Sequence, residues 1–216
     1  MISYRTLFWD LDGTLTDPKE GITRSVQYAL ERLGIEVLER DELVPFIGPP
    51  LLDSFQRVRG LSETDARRAV AFYRERFTET GIFENLIYPG IAELLRDLQA
   101  AEVRMAVATS KPTESAERIL VHFGIRGHFQ AVYGADLEGG RSRKLDVLRE
   151  ATRAFAPFPM PAAMIGDHAL DIEAAHACGV DGIAALYGYG AQEEVAAQRP
   201  THGAKDVPAL RRLLLP

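Results

Sequence analysis

The chain has 216 residues, of which 46% are hydrophobic and 26% charged, and its formal net charge is -6. That composition supplies one well-filled core plus a smaller appendage and excludes a disordered chain; with no strongly basic segment, neither a nucleic acid polymer nor an anionic membrane is expected as a partner. A single cysteine, Cys178, cannot close an internal disulfide and fits a reducing, cytoplasmic setting. No stretch has membrane-spanning length, and Met1 to Asp10 carries charge too early for a secretory leader.

The first predicted element is a buried strand over Thr6 to Trp9, which runs directly into Asp10-Leu11-Asp12-Gly13-Thr14. Residues at i and i+2 of an extended segment project to one side, so Asp10 and Asp12 converge where the strand leaves its sheet and Gly13 permits a sharp turn. Two carboxylates that close call for a cation or a shared proton. A calcium loop does not fit, because that pattern wants an acid or amide at Thr14, glycine at Leu15 and glutamate at Gly21.

From Asp17 to about Leu86 the pattern turns helical. Asp17-Pro18 opens a helix striped by Ile22, Val26, Ala29, Leu30 and Leu33 and stopped at Gly34; Ser62 with Asp65 opens another, striped by Ala66, Val70, Tyr73 and Phe77 and closed near Gly81. Phe46-Ile47-Gly48-Pro49-Pro50 forms a stiff elbow between them. From Pro89 onward, strands over Val103 to Ala108, Ala131 to Tyr133, Ala162 to Ile165 and Gly182 to Leu186 alternate with helical patterns. The expected fold is therefore an α/β core, a doubly wound parallel sheet at residues 1–16 and 87–216, with a small all-helical domain at 17–86 inserted after the first strand.

Sites in such sheets form at the carboxyl ends of the strands. Thr109-Ser110-Lys111 follows the second strong strand, offering a hydroxyl and a run of backbone amides to phosphate oxygens; the alternative is an ordinary strand-to-helix loop with Lys111 in solvent. Lys144 opens the helix before the Ala162 strand, and by default is a surface lysine. Gly166-Asp167-His168-Ala169-Leu170-Asp171 repeats the opening design of a strand, a glycine break and an acid; Asp171 sits where a helix begins, as an N-cap.

Asp10-Leu11-Asp12-Gly13-Thr14, Thr109-Ser110-Lys111, Lys144 and Gly166-Asp167 with Asp171 resemble, in order, the four motifs of the haloacid dehalogenase superfamily. The helical insertion matches that superfamily's cap position, and Ile47-Gly48-Pro49-Pro50-Leu51 and Leu186-Tyr187-Gly188-Tyr189-Gly190 are similar to its phosphoglycolate phosphatase-like subgroup. The resemblance implies a Mg²⁺-dependent phosphomonoester hydrolase acting on a small phosphorylated metabolite through an aspartyl-phosphate, with phosphoglycolate as first substrate and nucleoside monophosphates (a 5′-nucleotidase) as the alternative. It implies Asp10 as nucleophile, Asp12 as proton donor and acceptor, Thr109 and Lys144 on the transferring phosphoryl group, Asp10, Asp167 and the backbone carbonyl of Asp12 on the metal, and Asp171 behind it. The substrate-contacting set is then Gly13, Thr14 and Ser110 in the core and Gly48, Arg24 and Arg57 in the cap, which is expected to close over Asp10 and bring the elbow near the leaving group. Arg141, Arg143 and Lys144 compete for the cationic role beside the phosphate. A phosphosugar mutase uses the same core, whereas a phospho-switch receiver domain keeps its acceptor aspartate on a middle strand and has no helical insertion after the first.

Overall fold

The computed structural model describes residues 3–136 and 143–215, and the chain divides into two compact units: Met1–Asp17 with Ile87–Pro216, and Pro18–Leu86. In chain order the elements are β1 (Thr6–Trp9), β2 (Thr16–Asp17), α1 (Lys19–Leu33), α2 (Leu51–Arg59), α3 (Glu63–Glu79), β3 (Leu86–Ile87), α4 (Ile91–Ala100), β4 (Arg104–Pro112), α5 (Thr113–His122), β5 (Ala131–Ala135), α6 (Lys144–Phe155), β6 (Ala162–Gly166), α7 (Ala169–Ala177), β7 (Asp181–Ala185), α8 (Gln192–Ala197), β8 (His202–Ala204) and α9 (Val207–Leu214). Short 3-10 segments lie at Arg40–Phe46, Gly81–Phe83 and Arg126–His128. Among the described residues no helix is long and apolar enough to cross a membrane. Arg141 lies outside the described residues.

The larger unit is built on a six-stranded sheet in the order β5-β4-β1-β6-β7-β8, with every ladder parallel. This is the doubly wound α/β sheet expected from the strand and helix alternation. All four residues of β1 are buried because the strand is central, flanked by β4 and β6. Phe8 points to one face, where Phe155 and Phe158 meet it edge to face at 5.7 and 5.6 Å and Val147, Leu148 and Ala151 of α6 fill the space beside it. Leu7 and Trp9 alternate to the other face and are equally buried, so a continuous apolar run is what a strand covered on both sides requires. The small residues Ala174 and Ala175 sit on the same buried face of α7, beside Ala162 and Met164 of β6.

Trp9 is level with Val107 of β4 and Ile165 of β6, so Asp10 emerges just beyond two paired strands, at the point where the chain order switches from one side of β1 to the other. The amide of Asp10 still donates to Ile165 O at 2.8 Å, which fixes the exit direction. Two boundaries near the carboxyl ends of the strands differ from expectation. β4 does not stop at Ala108: it continues to Pro112 through a register shift, because Ala108 pairs with Tyr133 and Pro112 with Ala135. Thr109-Ser110-Lys111 is thus a bulge inside a strand, not a free loop. The helix expected to begin at Asp171 begins at Ala169, with His168 in the capping position and Asp171 accepting its backbone N–H at 2.9 Å. The edge strand β8 and helices α8 and α9 complete the unit beyond Gly190.

In the smaller unit α1 ends on Gly34 in the left-handed conformation, and α3 starts on Ser62, whose hydroxyl accepts from Asp65 N at 3.1 Å. The elbow is partly core: Phe46 and Ile47 are buried, and Phe46 meets the buried Phe55 edge to face at 4.9 Å. These rings therefore do not supply the exposed aromatic surface that a nucleoside base needs.

Candidate active site

Three carboxylates, Asp10 after β1, Asp167 after β6 and Asp171 in the first turn of α7, bring one oxygen each within 4.8 Å of one another, and all three are buried. Lys144, the first residue of α6, reaches into this group. Its Nζ lies 2.7 Å from Asp10 Oδ1, 2.8 Å from Asp171 Oδ1 and 3.3 Å from Ala108 O. The lysine is 5% exposed, so the default surface reading is wrong. Burial alone would lower its pKa, but the carboxylates of Asp10 and Asp171 outweigh that and hold the ammonium well above its ordinary range.

Asp12 stands apart from the trio. Its carboxylate, 7% exposed, pairs with Lys111 instead, Oδ2 to Nζ at 2.8 Å. Lys111 is itself buried, which rules out the alternative of a plain loop with Lys111 in solvent: the bulge in β4 carries it inward two residues after Thr109, whose Oγ1 accepts the Lys111 amide at 3.3 Å. Burial pushes the Asp12 carboxyl upward while the Lys111 ammonium pulls it back. Burial likewise raises Asp167, against the pull of His168 and with the repulsion of Asp171 and Asp10; it raises Asp171 against the pull of Lys144.

The shape of the site is set by close backbone approach. Gly13 has φ of +78°, and a Cβ there would fall 2.2 Å from Asp167 Oδ2. A Cβ on Gly166 would fall 2.2 Å from Asp171 Cγ. We therefore expect Gly166→Ala to push Asp171 off Lys144, destabilising the fold by about 1–3 kcal/mol and reducing turnover; an unchanged melting temperature and rate would contradict the packing described. The Leu186-Tyr187-Gly188-Tyr189-Gly190 segment closes the other side. Its Tyr189 and Gly190 amides donate to Asp167 Oδ2 at 2.7 and 3.3 Å, Tyr187 OH donates to Thr14 O at 3.0 Å, and Tyr189 OH donates to Asp17.

Of the expected site residues, the structure brings Asp10, Asp12, Gly13, Thr14, Thr109, Lys144, Asp167 and Asp171 into one buried region, with Ser110 half-buried in the β4 bulge beside Thr109. Thr14 Oγ1 donates to Asp167 Oδ1 at 3.5 Å. Gly48, Arg24 and Arg57 belong to the smaller unit. There Arg24 is engaged by Glu20 at 2.6 Å and Glu84 at 3.4 Å, Arg57 is exposed near the end of α2, and Gly48 has φ of +101° before the two prolines. Of the two described cations of that run, Arg143 is exposed and Lys144 is the one at the carboxylates. Lys111 was missed, although its place two residues after Thr109 on the same strand face was the available signal.

The donor set suits a hard divalent cation. Four carboxylates share two ammoniums, burial pushes three of those acids toward the neutral form that a cation would reverse, and the glycine contacts hold Asp167 and Asp171 in fixed positions. No thiol or imidazole cluster competes for a softer metal among the described residues, where the metal-capable group is Asp10, Asp167 and Asp171.

Comparison with known proteins places the chain in a family. Residues 7–185 match the family of haloacid dehalogenase-like hydrolases. A 5′-nucleotidase of Pseudomonas aeruginosa is 45% identical over 99% of this chain and 96% of its own length. Tyrosine-protein kinase PtkA of Mycobacterium tuberculosis is 42% identical over 87% of this chain, which spans 64% of that protein, and a phosphoglycolate phosphatase of Aquifex aeolicus is 27% identical over 86% of each chain. Among solved structures, that of a predicted phosphatase from Clostridium acetobutylicum superposes with a TM-score of 0.93 at 38% identity, covering 98% of each chain. The chain belongs to the haloacid dehalogenase-like hydrolases, among the phosphatases of that family.

Proposed function

We propose that the protein is a Mg²⁺-dependent phosphomonoester hydrolase in which Asp10 is the nucleophile and Asp12 the general acid and base. The observation that carries this reading is the division of the carboxylates between two lysines: Asp10 lies with Asp167, Asp171 and Lys144, while Asp12 lies with Lys111. One acid thereby sits beside a cation for attack, and the other is held on a separate anchor for proton transfer.

Asp10 and Asp167, with the Asp12 backbone carbonyl and with Asp171 behind them, are the groups that would hold Mg²⁺. When bound, the ion supplies the positive charge that lets a carboxylate approach a dianionic phosphate. Lys144 and the Thr109 hydroxyl hold the transferring phosphoryl oxygens beside Ser110, while Gly13 and Thr14, whose amides donate to Thr16 O and Leu11 O, form the tight turn that borders them. Asp10 forms a bond to phosphorus as the bond to the ester oxygen breaks, and protonated Asp12 gives its proton to the departing alkoxide. Asp12 then takes a proton from water, which attacks the aspartyl-phosphate and frees inorganic phosphate and the Asp10 carboxylate.

For the substrate we place nucleoside monophosphates first and phosphoglycolate second, reversing the order expected from the sequence. The 45% identity to a 5′-nucleotidase carries this order, and the engagement of Arg24 by Glu20 and Glu84 removes one of the cations a glycolate carboxyl would seek; because Phe46 and Phe55 pack on each other, a base would be received by other groups than these two rings. The smaller unit, including Gly48 and Arg57, is assigned to substrate choice. The test is phosphate release from a panel of nucleoside monophosphates, phosphoglycolate and sugar phosphates, with and without chelator. We expect turnover without any bisphosphate activator, stopped by chelation and restored by Mg²⁺, with nucleoside monophosphates ranked above phosphoglycolate. Full activity in a metal-stripped sample would contradict the metal assignment, and transfer only to a sugar or a tyrosine hydroxyl would contradict hydrolysis.

A further inference from the structure

We propose that Lys111 is a positioning residue that holds the Asp12 carboxylate apart from the Asp10, Asp167 and Asp171 cluster, so that Asp12 stays available for proton transfer. This rests on the reading of Asp12 as general acid and base. Asp10 and Asp12 leave β1 on the same side, so without a separate anchor the second acid would turn toward the site where the other carboxylates and the cation attract or repel it. The anchor is built, not incidental. Lys111 Nζ lies 2.8 Å from Asp12 Oδ2, with the two side chains 6% and 9% exposed, while the other Asp12 oxygen, Oδ1, is buried with no hydrogen-bond partner among the described residues.

The backbone is shaped for this contact. The register shift between Ala108 and Pro112 places Lys111 inside the bulge, and the neighbouring strand accommodates it through Gly134, where a Cβ would fall 2.5 Å from Lys111 O and 2.5 Å from Thr113 N. Thr109 and Lys111 thus come from one irregularity in β4 and serve two ends of the same reaction: Thr109 the phosphoryl group, Lys111 the acid that protonates what leaves.

The test is a double-mutant cycle on the full chain, with Lys111→Met, Asp12→Asn, the double variant and Lys111→Arg, assayed by phosphate release from a nucleoside monophosphate, whose alkoxide leaving group needs a proton. The double variant removes both members of the buried pair, so it keeps the cycle measurable should Lys111→Met alone fold poorly. If Lys111 acts through Asp12, Lys111→Met lowers kcat by about tenfold or more with KM little changed, Lys111→Arg recovers part of the loss, and Lys111→Met costs nothing further in the Asp12→Asn background. Mg²⁺ binding, read from the fluorescence of the chain's single tryptophan, Trp9, which immediately precedes Asp10, is not weakened. Independent, multiplying losses in the double variant, or a fall in Mg²⁺ affinity matching the fall in kcat, would overturn the proposal. Asp12→Asn at the wild-type rate would instead remove the function assigned to Asp12, so the two failures are distinguishable.

Discussion

Asp10→Asn is expected to cut phosphate release by about a thousandfold or more while leaving the fold in place. The amide keeps the shape of the carboxylate but cannot attack phosphorus, and removing a nucleophile typically costs several orders of magnitude in turnover. Stability should change little, because two effects oppose each other. Lys144 loses the partner at 2.7 Å but keeps Asp171 at 2.8 Å, and the crowding of three carboxylates within 4.8 Å is relieved. Circular dichroism and a thermal melt check the fold, and a discontinuous phosphate assay checks the rate. A correctly folded variant with near-normal turnover would remove Asp10 as nucleophile.

Lys144→Met is expected to damage both stability and activity. It leaves Asp10 and Asp171 buried without the ammonium that now touches both, and breaking a buried pair by deleting one partner costs about 3–5 kcal/mol. For a chain of this size that corresponds to a fall of roughly 10 °C in melting temperature. Added Mg²⁺ should restore part of the stability by balancing the carboxylates, but not the turnover, because the lysine's contact with the phosphoryl oxygens is still absent. Melting curves with and without Mg²⁺, beside steady-state rates, separate the two effects. Full recovery of turnover by Mg²⁺ would show Lys144 to be a structural counter-charge only.

The acids of the site were legible because their chemistry and their local structure coincide. A fully apolar strand ending in Asp10-Leu11-Asp12-Gly13 has few uses, and the same design returns at Ile165-Gly166-Asp167 on the neighbouring strand. The doubly wound order followed from alternation alone, since strands covered on both faces read as unbroken apolar runs. What stayed hidden depended on contacts between distant segments. Beyond its spacing from Thr109, nothing local marks Lys111 as buried, because its burial depends on the bulge in β4, whose backbone packs closely against Gly134 of β5. The strand β8 at His202–Ala204 is a short edge with its first two residues exposed, so it carries no apolar signature. Phe46 and Phe55 look alike in sequence whether they face a ligand or each other, and the structure has them facing each other.

The most direct measurement of the central claim is chemical trapping of the intermediate during turnover. Substrate mixed with enzyme and Mg²⁺, quenched on the millisecond scale and reduced with borohydride, converts an aspartyl-phosphate into homoserine, which peptide mass spectrometry locates. We predict homoserine at position 10, absent without substrate and absent in Asp10→Asn. Homoserine at position 12 or 167, or none at any position while phosphate is being released, would contradict attack by Asp10.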